Sequence, residues 1–192
     1  MDVGELELNS GNVVLDFVNT VEDRLEERPE DLLRTPSDLA EWAAMSGLPA
    51  ARPPALRSAE FAKALDLREH LTALLDAKLD GLELDPGDLA ALAAAEARAR
   101  AAGSLEQGED GLLRWRWDPE APASVRHTIA AAASELLSGP DADRIGRCAG
   151  RGCGWFFLDA TKRGNRRWCS MKDCGQAAKS ANRRARRASA GR

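Results

Sequence analysis

The stretch that decides how this chain folds runs from Arg147 to Gly175, RCAGRGCGWFFLDATKRGNRRWCSMKDCG, and holds all four cysteines. They are spaced Cys148-x4-Cys153-x15-Cys169-x4-Cys174. Two close pairs joined by a mid-length connection suit a tetrahedral Zn²⁺, because each pair can form a tight knuckle that offers two thiolates. No Cys-x-x-Cys redox pair occurs. The alternatives are buried free thiols, disulfides and an iron–sulfur cluster. The small aromatic segment between the pairs favours zinc, as one structural ion, since four thiolates leave no open position for catalysis.

The residues between and after the cysteines add shape. Trp155–Leu158 reads as a short apolar strand, followed by a Gly- and Asn-containing turn and an Arg-rich return arm, hence a β-hairpin. Ser170 is a good N-cap with Asp173 three positions on, so a helix is expected from Ser170, with Cys174 in its first turns. Knuckle, hairpin and helix follow a treble-clef-like order.

Working outward, charge divides the chain. Residues 148–192 carry 12 Lys and Arg against 2 Asp and Glu, a net of +10, and residues 1–147 carry 15 against 29, a net of −14, which together give the chain's −4. An acidic body with a basic, cysteine-containing tail suggests two modules with different partners. We place the boundary in PDADRIG, read as a linker, giving 1–140 as the body and 141–192 as the finger.

The body reads as mostly helical, so the fold class is α+β: a helical domain with a small antiparallel hairpin, then the finger. Val14, Phe17, Val18, Val21 and Leu25 recur at helical spacing. Thr35, Pro36 and Gly47 punctuate a second helix, and a long one is expected from Ser58 to about Leu82. Another runs from Asp85 to about Ala102. In SLEQGEDGLLRWRWDP the period drops to two, with Leu113, Trp115 and Trp117 on one side of a strand that lies on the helices. Ser124 and Gly139 bound the last body helix.

No apolar run is long enough to span a bilayer, and the start MDVGELELNS has no signal-peptide pattern, so a cytoplasmic protein is expected. Its two histidines, His70 and His127, fall in separate helices, and no Ser-His-Asp order, phosphate loop or paired-His motif is present, so we expect no enzyme.

The Arg147–Gly175 run resembles the CGNR zinc finger in its two cysteine pairs, its CGWFFLD segment, its RRWCSM block and the basic C-terminus. LDFVNT, Leu15–Thr20, and DLAEWAAMSGL, Asp38–Leu48, resemble the ABATE domain that accompanies this finger in bacteria. The resemblance implies a stress-induced transcription regulator. Where the family motif reads Cys-Gly-Asn-Arg, this chain has Cys174-Gly175-Gln176-Ala177.

A regulator of this kind needs a nucleic-acid surface and a signal. Arg163, Arg166, Arg167, Lys172, Lys179, Arg183, Arg184, Arg186 and Arg187 are candidate phosphate contacts, with Gln176 and Asn182 as candidate base readers. DNA is the expected partner, and a DNA-reading role favours a homodimer. Asp16, Asn19, Thr20 and Arg68 are a candidate ligand pocket; the plainer expectation is that Asn19 and Thr20 bond to backbone at a helix end. The competing class is an interaction protein stapled by zinc, whose tail neutralises the body or a protein partner.

Overall fold

A computed structural model describes residues 2–48 and 57–190. Its helices are α1 (Val13–Val18), α2 (Pro36–Met45), α3 (Ser58–Asp80), α4 (Pro86–Ala102), α5 (Ser124–Ser138) and α6 (Cys174–Ala190). Three antiparallel pairs complete it: β1 (Val21–Glu22) with β2 (Glu30–Asp31), β3 (Ser104–Gln107) with β4 (Leu113–Arg116), and β5 (Ile145–Arg147) with β6 (Phe156–Leu158). The class is α+β, a mostly helical body with small hairpins and a C-terminal four-cysteine unit that carries a helix. Among the described residues no helix is long and apolar enough to cross a membrane.

Local chemistry sets most helix ends. Thr35 and Asp38 form a capping box ahead of Pro36 in α2. Asp85 accepts from the Gly87 and Asp88 amides to start α4, again before a proline. Gly81, in the left-handed conformation, closes α3. Helix α5 begins at Ser124 as expected, but Ser124 is its buried first residue and Ala123 occupies the cap position.

The helices α1 to α5 bury Phe17, Trp42, Leu71, Leu75 and Ile129 in a core that continues, without a gap, into Ile145, Trp155, Phe156 and three of the cysteines. Phe156 is 0% exposed. Burial of one such ring contributes roughly 2–3 kcal/mol, so the finger is held partly by apolar area it shares with the body.

Three elements differ from the expectations. The apolar period from Val14 to Leu25 is not one helix. Helix α1 stops at Val18, Val21 turns inward from β1, and Leu25 is exposed on the loop after it. The reason is Asn19, which caps α1 and commits its side chain to β6. Next, PDADRIG, expected as a linker, has regular structure of its own. Pro140–Arg144 is a 3-10 turn, and Ile145 begins β5. Finally, β6 pairs with β5 across the first knuckle, and the Arg-rich arm after it is irregular. The hairpin therefore encloses Cys148–Cys153 instead of following it.

The β3–β4 hairpin lies where the two-residue period put it. Trp117 Nε1 donates to the Ala99 carbonyl at 2.7 Å, and the Arg100 guanidinium sits 4.8 Å from the centre of the Trp115 ring, which holds the ribbon against the end of α4.

Candidate metal centre and basic tail

The first knuckle is built on backbone geometry. The Cys148 amide donates to the Trp155 carbonyl at 2.7 Å, which extends the β5–β6 ladder to the first ligand. Gly150 then turns under the sulfurs, its amide donating to Cys148 Sγ at 3.3 Å. A Cβ at Gly150 would lie 2.6 Å from Cys174 Sγ, so a side chain there would occupy the space where the two knuckles meet. The Ala149 amide donates to the Arg167 carbonyl at 2.9 Å, tying the first knuckle to the arm that carries the second.

The second knuckle turns at Ser170. Its hydroxyl accepts from the amides of Lys172 and Asp173 at 3.2 and 3.4 Å, and its carbonyl accepts from Gly175 at 2.9 Å. Regular helix begins at Cys174, later than the expected start at Ser170. Cys174 thus opens α6, and burial, with the Cys148 charge beside it, raises its pKa in the metal-free cluster.

The four Sγ atoms lie within 4.8 Å of one another, with Cys153–Cys169 at 3.7 Å and Cys169–Cys174 at 3.8 Å. A tetrahedral zinc with Zn–S bonds of about 2.3 Å requires S···S edges of about 3.8 Å, so the donor set matches the ion in number, type and spacing. Protons alone serve this cluster poorly. Hydrogen bonds from the Cys153 and Cys169 thiols hold Cys148 far below the usual thiol range, and the bonds to Cys148 push the pKa values of both partners up. One thiolate therefore suppresses the others, and a divalent cation removes that conflict. Zinc chemistry here is structural: it joins the two knuckles and leaves no coordination position open.

The model of the family called ABATE, described as "Putative stress-induced transcription regulator", matches residues 11–140. The chain belongs to the ABATE family. A second family model, the CGNR zinc finger, matches residues 144–187. A search of curated proteins found no match. In this ABATE protein the four cysteines are placed to hold one zinc ion. Gln176 and Ala177, which stand where the finger's name has Asn and Arg, are both exposed, so the missing charge is missing from the surface.

The seam between body and finger uses residues expected elsewhere. Asn19 Nδ2 donates to the Phe156 carbonyl and its Oδ1 accepts from the Phe156 amide, both at 2.8 Å, so one buried amide pairs with β6 as a neighbouring strand does. Thr20 Oγ1 donates to Phe17 O at 2.7 Å and accepts from Arg68 Nη1 at 3.0 Å. Arg68, 3% exposed, also forks onto both oxygens of Asp31 and donates to Glu69. Asp16 accepts from the Ser10 amide at 3.1 Å, and burial raises its pKa. The candidate pocket residues Asp16, Asn19, Thr20 and Arg68 are therefore each engaged within the protein, and Asn19 and Thr20 bond to backbone at the end of α1. These polar groups bond to backbone and to neighbouring side chains, and they hold the fold together.

Further seam contacts carried no sequence signal. Trp155 Nε1 donates to Val21 O at 3.0 Å, the Arg24 and Leu25 amides donate to Cys153 and Gly152 carbonyls, and the Leu158 amide donates to Ser10 O. Arg147 bridges Asp76 and Asp80, one turn apart on α3. That acidic pair on α3 was visible in the sequence, but nothing named its partner.

The candidate nucleic-acid residues separate into two groups. Arg166 points inward. Its guanidinium donates to the carbonyls of Trp168, Leu158, Asn9 and Cys169, and it stacks 4.6 Å from the centre of the Phe157 ring. It braces the second knuckle against the N-terminal segment, so it is removed from the phosphate-contact set. Arg163, Arg167, Lys172, Lys179, Arg183, Arg184, Arg186 and Arg187 are exposed. Arg167 lies 5.2 Å from the centre of the Trp168 ring, and Arg183 donates to Ser180 at 3.3 Å. Among the described residues none of these eight forms an ion pair with the acidic body.

Proposed function

We propose that this ABATE protein is a zinc-stapled transcription regulator whose C-terminal helix contacts DNA phosphates, with a body that receives an effector. The observation that carries the reading is the exposure of α6. Every residue from Ala181 to Arg187 is exposed, alanines included. At helical spacing Gln176, Lys179, Asn182, Arg183 and Arg186 share one face, and Ala177, Ala181 and Ala185 lie opposite.

Such a helix is poorly stabilised by itself. Lys179–Arg183 and Arg183–Arg187 are like-charge pairs at i,i+4, each costing a few tenths of a kcal/mol (about 0.2–0.5). Phosphates on the cationic face reverse that sign. Phosphate contacts give affinity and register; Gln176 and Asn182, on the same face, are the side chains that can pair with base edges. The zinc supports this role from behind, because Cys174 fixes the first turn of the helix to the core.

The test is a fluorescence-anisotropy titration of the zinc-loaded protein on duplex DNA at several salt concentrations. The proposal expects binding that weakens steeply with salt. No binding at low salt, together with capture of an acidic protein by the same tail, would establish the competing role as a zinc-stapled interaction protein.

A further inference from the structure

The body also holds a cleft that shares no residue with the metal centre or the seam. Helices α3, α4 and α5 diverge around an open cleft of about 410 Å³, a size in the range of small-molecule sites. The alanine-rich sequence of α4 makes the gap: Ala91 and Ala95 line it where larger side chains would fill it, and Leu67 of α3 lies opposite. Arg126 of α5, 9% exposed, also lines the cleft.

The charges there do not cancel. Arg126 donates through Nε and Nη2 to Oε2 of Glu60, which leaves its Nη1 without a partner among the described residues. Lys63 takes the other oxygen of the same Glu60 at 2.7 Å. One carboxylate therefore serves two cations. Arg98, on the rim, forms no ion pair or hydrogen bond among the described residues. Asp66 on the opposite rim is the one acidic lining residue, and His70 is tied to Asp88 at 2.7 Å. His127, next to Arg126, has its pKa lowered by burial and then by the charges of Arg126 and Arg98, with Glu60 opposing. It adds no positive charge at neutral pH, and it lies within electrostatic range of Arg126 and Arg98.

We propose that this cleft binds a small carboxylate with an apolar body, the carboxylate on Arg126 and Arg98 and the apolar part on Leu67, Ala91 and Ala95. Guanidinium groups match a carboxylate in shape as well as charge, and the apolar wall excludes a bare hydrated anion as the preferred occupant. The inference deepens the effector half of the proposed function by naming a site and a ligand class, and it rests on that reading. Helix α3 carries cleft residues Lys63 and Leu67 near one end and the Asp76–Asp80 clamp on Arg147 near the other, so one rigid element touches both the cleft and the finger.

The experiment uses the whole zinc-loaded chain with benzoate as probe, read by NMR of the imidazole carbons. The chain has two histidines, one lining the cleft and one beside it. Benzoate is expected to shift both in a saturable way, and benzyl alcohol and acetate to bind at least roughly tenfold more weakly. Arg98→Ala, at an exposed position whose loss leaves the fold intact, is expected to weaken benzoate by roughly tenfold, and Arg126→Lys to weaken it while keeping the bond to Glu60. The proposal is overturned by no saturable shift up to about 10 mM benzoate, by equal binding of benzyl alcohol or acetate, or by unchanged affinity in both variants. No DNA is present in this experiment, so its failure leaves the DNA reading standing, and the DNA titration can fail without it.

Discussion

Arg166 and Arg183 belong to one basic segment and contribute the same charge to it, but the fold uses them in opposite ways. Arg166 faces four carbonyls and an aromatic ring, and closes the joint between the N-terminal segment and the second knuckle. Arg183 meets one serine hydroxyl on its own helix. Charge density along a sequence therefore counts two populations together: cations used up in making the fold, and cations left over for a polyanion. In this molecule both populations occur before Cys169, where Arg163 and Arg167 are exposed, and only the free one after Cys174. Arginines before Cys169 include two, Arg147 and Arg166, that are bound to the body or to backbone, whereas those after Cys174 stand clear of it.

The largest effect expected is from the metal. Apparent zinc-binding energies for comparable structural sites are about 10–16 kcal/mol, all of it available to folding. Because the cysteines share a core with Trp42 and Phe17, removal of zinc with a chelator should loosen the body as well as the finger. Near-UV circular dichroism and thermal melting should show both probes falling together, and Cys153→Ser should reproduce the loss. A body that melts at the same temperature with and without zinc would separate the two regions.

Next come the two arginines themselves. Arg166→Ala leaves several carbonyls without their donor and should cost about 3 kcal/mol, a fall in Tm of roughly 6–12 °C for a chain of this size. Arg183→Ala should stay within about 0.5 kcal/mol of the parent, as surface substitutions do. Equal costs in a pair of denaturant melts would dissolve the distinction. Asn19→Ala, which strips a buried pairing from β6, should fall between them at about 2 kcal/mol by the same measurement.

The smallest effect is a pH dependence in the body. Burial sets the His127 pKa below its ordinary value of 6.5. As pH falls through 6.5 the unfolded chain takes up the proton first, so stability is full above that value and declines as the folded value is approached. Melts between about pH 7.5 and 5.5 should show this decline, and His127→Gln should reduce its slope. A slope of the opposite sign would mean that the neighbouring Glu60 outweighs burial.

The sequence made some of this legible and hid the rest for a physical reason. Helix ends at Thr35, Gly81 and Asp85 are local chemistry, written within a turn of the residue concerned, and they were readable. The cysteine spacing was readable because a four-thiolate site constrains each pair locally. The two-residue period of Trp115 and Trp117 likewise gave the β3–β4 hairpin. What failed depended on partners far along the chain. Asn19 meets Phe156 across 137 positions, and that contact ends α1 while the apolar period continues to Val21. The partner of β6 was misread because β5 looked like a linker, its short Ile-Gly-Arg run having no alternation to reveal it. Arg166 could not be distinguished from its neighbour Arg167, since only the fold brings the Asn9 and Leu158 carbonyls to it.

The most direct measurement compares salt slopes. Duplex-DNA affinity of the zinc-loaded protein is titrated against salt for the parent and for a variant with Arg183, Arg184, Arg186 and Arg187 all changed to Ala. If each contacts a phosphate, the slope of log affinity on log salt should flatten by about 3–4 units, at roughly 0.9 per contact, while Tm is unchanged. A parent that binds DNA with the same salt slope as the variant would contradict the account, because the cations left free by the fold would then not be the ones that hold DNA.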